Sequence, residues 1–208
     1  MSKALVVDDH PVIRAAVKMV LQKEKFQAIL EARNGVEAVQ MAREHKPDLV
    51  VLDIAMPGLD GLEVLNRLKD LESPCRMLVY TSHEPVFYSA RCMRSGALGY
   101  ISKTNDLEEL SKAIGAVMSG YTYFPRLPSS SVNPDHLQCT EMQLIEKLSD
   151  RELTIFQALA RGLSNKEIAV SMLLSHKTVS TYKTRLIEKL NVTSAVHLRD
   201  LARRNHVI

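Results

Sequence analysis

Ala4-Leu5-Val6-Val7-Asp8-Asp9 and Leu49-Val50-Val51-Leu52-Asp53 decide the fold of this chain: two short apolar runs, each closed by carboxylates. Runs of this kind, alternating with helical patterns, read as buried strands of a parallel sheet. Crossover helices cover both faces of such a strand, so it shows no polar alternation. In open α/β sheets ligands collect at the C-terminal ends of the strands. Asp8, Asp9 and Asp53 are therefore expected to meet in one crevice. Like charges that close ionise together only at a cost, so either their pKa values rise or a divalent cation sits among them.

Oxygen-only ligation by a few carboxylates, with no His or Cys in the strand-end runs, suits a hard ion such as Mg²⁺ better than zinc. Two further runs end in groups that suit a phosphate: Met77-Leu78-Val79-Tyr80 in Thr81-Ser82, and Leu98-Gly99-Tyr100-Ile101-Ser102 in Lys103. A hydroxyl and an ammonium are natural partners for phosphoryl oxygens. Each residue alone has a bland explanation. A strand-ending Asp is commonly a cap or turn residue, a lone Lys is commonly a solvated one, and Thr is a common strand former. The ordered set of acid pair, acid, hydroxyl and lysine on successive βα units is much rarer.

Helical patterns near 11–23, 34–45, 60–70, 84–95 and 106–119 separate five short strands, which gives a five-stranded, doubly wound, flavodoxin-like parallel sheet over residues 1–122. Pro11 suits a first helical turn, and Pro57-Gly58 makes a turn of the loop after Asp53. After Gly120 the pattern stops. Residues 123–147 are expected to be a linker, because Pro125, Pro128, Ser129, Ser130, Ser131, Asn133 and Pro134 neither propagate a helix nor bury much.

From Leu148 the periodicity is helical, with no strands, so residues 148–208 are expected to form a small all-α, four-helix domain. Ser149 with Glu152 forms a capping-box pattern ahead of a helix that stops at Gly162, and Ser164 caps a second helix from Asn165 to Met172. A short turn, Leu173-Leu174-Ser175, leads to a third helix from about His176 to Leu190, and a fourth spans about Ser194 to Arg204. Two short helices joined tightly, the second basic, make a helix-turn-helix. Val179, Tyr182, Leu186 and Leu190 share one face, while Lys177, Ser180, Thr181, Lys183, Thr184 and Arg185 lie opposite. Short hydroxyl residues let a helix approach base edges, and cations meet phosphates.

Charge follows the same division. Residues 1–122 carry 15 Lys and Arg against 16 Asp and Glu, and residues 145–208 carry 11 against 6, so the basic half is the candidate polyanion binder. At 208 residues the chain is long enough for one mid-sized core and a small second domain. No apolar run approaches the ~20 residues of a membrane span, and Met1-Ser2-Lys3 leads directly into a strand, so a cytoplasmic protein is expected. Cys75, Cys92 and Cys139 are odd in number and lack metal spacing, which fits unpaired thiols in a reducing compartment.

Residues 1 to about 122 resemble a two-component receiver domain, through Val6-Val7-Asp8-Asp9-His10-Pro11, Asp53 with Met56-Pro57-Gly58-Leu59-Asp60-Gly61, Thr81-Ser82 and Lys103. The resemblance implies that Asp53 accepts a phosphoryl group from phosphohistidine. It implies Mg²⁺ held by Asp9, Asp53 and the carbonyl of Ala55, with Asp8 acting through water. Lys103 and Thr81 then contact the aspartyl phosphate, and Tyr100 changes rotamer as the readout. One departure stands out: Thr104 follows Lys103 where the family often has proline, so a trans peptide is expected there.

Residues 148–205 resemble a LuxR-type DNA-binding domain, through Leu148-Ser149-Asp150-Arg151-Glu152, Gly162-Leu163-Ser164-Asn165-Lys166-Glu167-Ile168-Ala169, Lys177-Thr178-Val179 and Glu188-Lys189-Leu190. Together the halves resemble the NarL/FixJ response regulators. Within them, Tyr121-Thr122-Tyr123-Phe124-Pro125 and the stretch from Lys177 to Leu186 resemble the BvgA/EvgA type. The resemblance implies DNA contacts from Asn165, Lys166, Lys177, Thr178, Ser180, Thr181, Lys183, Thr184 and Arg185. Implied partners are a sensor histidine kinase, of the hybrid kind in that subtype, or a phosphotransfer domain, together with promoter DNA and a second copy of the chain on phosphorylation; RNA polymerase is a candidate.

No enzyme is expected. Haloacid-dehalogenase-type phosphatases use similar parts, but their nucleophile stands first as Asp-x-Asp and their acid pair last, whereas here the acid pair leads and Ile54-Ala55 follows Asp53. A DNA-binding protein indifferent to phosphorylation, with its first domain used only for dimerisation, stays open as the alternative.

Overall fold

The computed structural model describes residues 2–56, 61–71, 75–125 and 136–208, which divide into two compact units, Met1–Leu127 and Pro128–Ile208. The expected turn at Pro57-Gly58 and most of the Pro/Ser/Asn run lie outside the described residues.

In the first unit the order is β1 (Lys3–Val7), α1 (Pro11–Lys23), β2 (Ala28–Ala32), α2 (Gly35–His45), β3 (Leu49–Leu52), α3 (Gly61–Lys69), β4 (Arg76–Thr81), α4 (Pro85–Arg94), β5 (Gly99–Ser102) and α5 (Leu107–Met118). The strands are parallel in the order β2-β1-β3-β4-β5, the flavodoxin-like order. Every residue of β3, and Ala4 to Val7 of β1, is buried, which is why these runs show no alternation. Helix boundaries follow local chemistry. Pro11 and Pro85 open α1 and α4, while the side chains of Asn34 and Asp106 accept the Glu37 and Glu109 N–H groups to cap α2 and α5. Gly61 is required by packing, since a Cβ there would lie 2.3 Å from the Ile54 Cα. That contact sets α3 directly against the segment after Asp53.

The pattern of this unit does not end at Gly120. Tyr123 forms a parallel bridge with Gly99; the Tyr100 N–H donates to the Tyr123 carbonyl at 2.8 Å, and the Tyr123 N–H donates to the Leu98 carbonyl at 2.9 Å. The stretch Tyr121-Thr122-Tyr123 thus covers the open edge of β5 instead of leaving the domain at 122. The Lys103–Thr104 peptide is trans, as are all among the described residues.

In the second unit, α6 (His136–Glu146), α7 (Asp150–Ala160), α8 (Asn165–Ser171), α9 (His176–Lys189) and α10 (Ala195–Arg204) follow one another. The expected capping box of Ser149 and Glu152 forms at α7, and the Ser164 cap of α8 is completed into a second box by Glu167. Leu173, at φ 54 and 83% exposed, makes the left-handed turn between α8 and α9, and the Leu174 N–H closes it on the Ala169 carbonyl at 2.8 Å. Such a backbone costs a non-glycine residue about 1 kcal/mol.

Helix α6 corrects the expectation of an unstructured linker through 147. Its later half belongs to the bundle: Ile145 is buried, and Glu141 accepts from Arg204 at 2.9 Å and from the Asn205 side-chain amide at 2.8 Å. A composition argument drawn from prolines and serines does not carry into the helical stretch that follows them. Cys75 and Cys92 are free thiols, and the side chain of Cys139 lies outside those described. Among the described residues no helix is long and apolar enough to cross a membrane.

Candidate functional site

Register gathers the predicted crevice. Val7, Leu52 and Val79 stand abreast, as do Thr81 and Ser102, so the residues that follow emerge together at one end of the sheet. Asp8 and Asp53 are each only 2% exposed. Lys103, with 13% of its side chain exposed, places Nζ 2.6 Å from Asp53 Oδ2 and 2.7 Å from Asp8 Oδ2. Its backbone N–H donates to the Thr81 carbonyl at 2.8 Å, which ties the lysine to the end of β4. Burial opposes the ammonium charge, but the hydrogen bonds and charges of Asp53 and Asp8 outweigh burial and hold the Lys103 pKa above the ordinary lysine value.

Backbone donors fix both carboxylates. Asp53 Oδ1 accepts the Ala55 N–H at 2.8 Å and Asp8 Oδ1 accepts the His10 N–H at 2.8 Å. Arg14, unforeseen in the sequence reading, donates to the Asp8 carbonyl at 2.8 Å and to Glu31 at 3.2 Å, so a buried guanidinium anchors the acidic turn to β2. Its only signal in the sequence was a basic residue on an otherwise apolar stretch of α1.

His10, directly after the acid pair, lies against the carboxylates. Its Nδ1 lies 2.9 Å from Asp9 Oδ1 and 3.3 Å from Asp8 Oδ1, and donor atoms of Asp8, Asp9 and His10 all fall within 4.8 Å of one another. The chain turns into α1 immediately after the acid pair, which folds the ring back over it. Despite that proximity Asp9 Oδ1 lacks hydrogen-bond geometry to any donor and is a buried acceptor without a partner. An oxygen without a hydrogen bond beside the buried Asp8 carboxylate fits a hard divalent cation.

Thr81 is fully buried, and its Oγ1 accepts the His83 N–H at 3.4 Å. Tyr100 is buried as well; its hydroxyl donates to the His83 carbonyl at 2.7 Å, and burial pushes its phenol pKa up. Both residues therefore reach the same loop.

In the second unit, Val179, Leu186 and Leu190 of the α9 stretch are buried and Tyr182 is half-buried, as the periodicity required. Lys177, Ser180, Thr181, Thr184 and Arg185 are exposed and Lys183 is half-buried; on α8, Lys166 is exposed and Asn165 half-buried. Two details refine this face. The Thr181 and Thr184 hydroxyls donate to the Lys177 and Ser180 carbonyls, at 3.1 and 3.3 Å, which leaves each threonine an acceptor oxygen and a methyl to present outward. Thr178 instead joins the cap of α9: its N–H donates to Ser175 Oγ at 3.0 Å, and the two hydroxyls lie 2.7 Å apart.

Residues 4–115 match the response regulator receiver domain, and residues 146–202 match the luxR family of bacterial regulatory proteins. The chain is 52% identical over 206 residues to the virulence-factor positive transcription regulator BvgA of Bordetella pertussis, covering 99% of each chain. It is 34% identical over 204 residues to the DNA-binding transcriptional activator EvgA of Escherichia coli K12, covering 98% of each. Among solved structures, the RcsB response regulator of Salmonella typhimurium shares the fold with a TM-score of 0.74 at 22% identity, over 99% of each chain. An acidic crevice at the strand ends, a helix-turn-helix beyond it and relatives aligned along nearly the whole length have one common explanation: the chain belongs to the NarL/FixJ-type response regulators, transcription regulators with a receiver domain and a LuxR-type DNA-binding domain.

Proposed function

We propose that Asp53 accepts a phosphoryl group from phosphohistidine on a sensor kinase or phosphotransfer domain, and that the modified chain binds promoter DNA as a dimer. The observation that carries this reading is the Lys103 ammonium held between Asp8 and Asp53. An Asp53 oxygen attacks phosphorus, a P–O bond forms as the P–N bond breaks, and the imidazole nitrogen leaves with the electron pair. Lys103 is already in place to pair with the new phosphoryl oxygens, and the Thr81 hydroxyl is the nearby neutral donor. The residues that suit Mg²⁺ are Asp9, Asp53 and the Ala55 carbonyl, with Asp8 acting through water, and the ion would supply neutralisation of phosphoryl charge.

Phosphorylation replaces one negative charge on Asp53 by nearly two, together with new acceptor oxygens, enough to draw a donor from one discrete position to another. Dimerisation through α1 and α5 then links two α9 helices, and a pseudo-palindromic site mirrors the two-fold axis. Asn165, Lys166, Lys177, Lys183 and Arg185 supply phosphate contacts, with Ser180, Thr181 and Thr184 toward base edges. RNA polymerase is the partner through which a promoter-bound regulator would act.

Acetyl phosphate supplied to wild type and Asp53→Asn, with and without Mg²⁺ and read by intact mass, tests the acceptor. Magnesium-dependent addition of one phosphoryl group to wild type alone is expected. Equal promoter binding by Asp53→Ala and phosphorylated wild type would instead point to a DNA-binding protein indifferent to phosphorylation.

A further inference from the structure

Contacts from three elements converge on His83, in the loop between β4 and α4. Its N–H faces Thr81 Oγ1 at 3.4 Å, its carbonyl accepts the Tyr100 hydroxyl at 2.7 Å, and its ring lies flat on Tyr88 of α4, with centroids 4.4 Å and planes 11° apart. Thr81, Tyr88 and Tyr100 are all buried. Any residue could make the two backbone contacts, but the stack belongs to the side chain and ties it to α4.

The three contacts differ in strength. The Thr81 contact is at the long limit of a hydrogen bond, so Thr81 can leave for a better acceptor at little cost. The Tyr100 bond is short and its donor buried, so that hydroxyl moves only with the His83 carbonyl or at the cost of an unsatisfied group. The ring stack is intermediate and geometrically specific.

We propose that His83 is a positioning residue that couples the Thr81 and Tyr100 hydroxyls to the Tyr88 end of α4, so that a change in the acidic crevice reaches α4 through the His83–Tyr88 stack. The proposal rests on Asp53 as the phosphoryl acceptor. When Thr81 turns toward new oxygens beside Asp53 it releases the His83 N–H. The loop keeps its carbonyl bond to Tyr100 and its ring stack, and its displacement carries Tyr88 with it.

The test is amide hydrogen exchange of the full chain with and without Mg²⁺ and BeF₃⁻, comparing wild type, His83→Ala, His83→Phe and Tyr88→Leu. Expected in wild type is a response both in the peptide containing Asp53 and in the peptide covering α4. In His83→Ala and Tyr88→Leu the Asp53 peptide still responds, while the change in α4 exchange shrinks by about 2- to 12-fold, the range that one aromatic stack supports. His83→Phe, which keeps a flat ring, restores the α4 response. A full α4 response in His83→Ala or Tyr88→Leu, or no restoration by His83→Phe, overturns the proposal. No response at Asp53 in wild type would sink the acceptor reading and this inference together.

Discussion

Lys103 lies 13% exposed between two carboxylates, whereas Lys177 stands in solvent on α9, and neither it, Lys183 nor Arg185 is held in an ion pair among the described residues. In the crevice the positive charge is committed. It offsets two buried negative charges in a region that screens poorly, so one added charge on Asp53 alters every contact around it. On α9 the charges are left uncommitted and hydrated, the state in which they can replace counterions along a phosphate backbone. A third lysine sits between these cases. Lys189, half-exposed, reaches the buried Glu152 at 2.7 Å and joins the end of α9 to the start of α7.

The contrast can be broken most sharply at Asp53, where substitution by Asn is expected to abolish phosphoryl incorporation altogether. Next in size is Lys103→Met, which keeps the apolar stem and leaves Asp8 and Asp53 buried without their ammonium. An uncompensated buried charge typically costs about 3 kcal/mol, and urea unfolding should register that loss, with Mg²⁺ recovering part of it. The same change at Lys177 is expected to move stability by less than about 0.5 kcal/mol. Equal effects at the two positions would remove the distinction.

Glu152→Gln tests the intermediate case. Burial raises the Glu152 pKa, but Lys189 and the Ser149 donors outweigh burial and hold it below the ordinary glutamate value. A carboxylate with a depressed folded pKa contributes stability that is present above its unfolded pKa and lost as pH falls through the folded value. The wild type should therefore exceed the variant by about 1–2 kcal/mol near pH 7, and the gap should close on acidification below the carboxylate range. A gap independent of pH would assign the effect to packing.

Smaller effects are expected on DNA. Lys177→Ala and Lys183→Ala should each weaken binding to all sequences and flatten the slope of log K against log salt by about 1, read by fluorescence anisotropy at several salt concentrations. Thr181→Val and Thr184→Val keep a methyl and lose the acceptor. Each should shift preference away from a base presenting an amino group by about 1 kcal/mol, measured with a panel of single-base variants. Unchanged preference in both would mean that α9 presents a different face.

Much of the receiver unit was legible because its signals are local and periodic. Apolar runs ending in Asp8, Asp53, Thr81 and Lys103 mark strands, and prolines and short polar caps mark helix starts, within a residue or two of Pro11–Lys23 and Gly35–His45. The capping box at Ser149 and the cap at Ser164 were readable for the same reason, since their partners lie three residues on. Helix α6 was not, because the Pro/Ser/Asn run before it dominated the composition of the whole interval. Thr178 also illustrates the limit: at residue level it belongs to the reading face, but its hydroxyl and N–H are engaged by Ser175.

By itself the sequence determined the order of strands and of helices other than α6, the residue types at the strand ends and the amphipathic faces of the second unit, since these depend on periodicity and on caps within one turn of chain. Only the tertiary structure decided that Lys103 reaches both Asp8 and Asp53, that Arg14 braces the acidic turn, that Tyr123 closes the edge beside β5, and that His83 joins Thr81, Tyr100 and Tyr88. The physical reason is range. Periodicity is written in neighbouring residues, whereas these contacts join positions far apart in the chain or turn on loop conformation, and they form only once strand register and packing have fixed where each backbone segment lies.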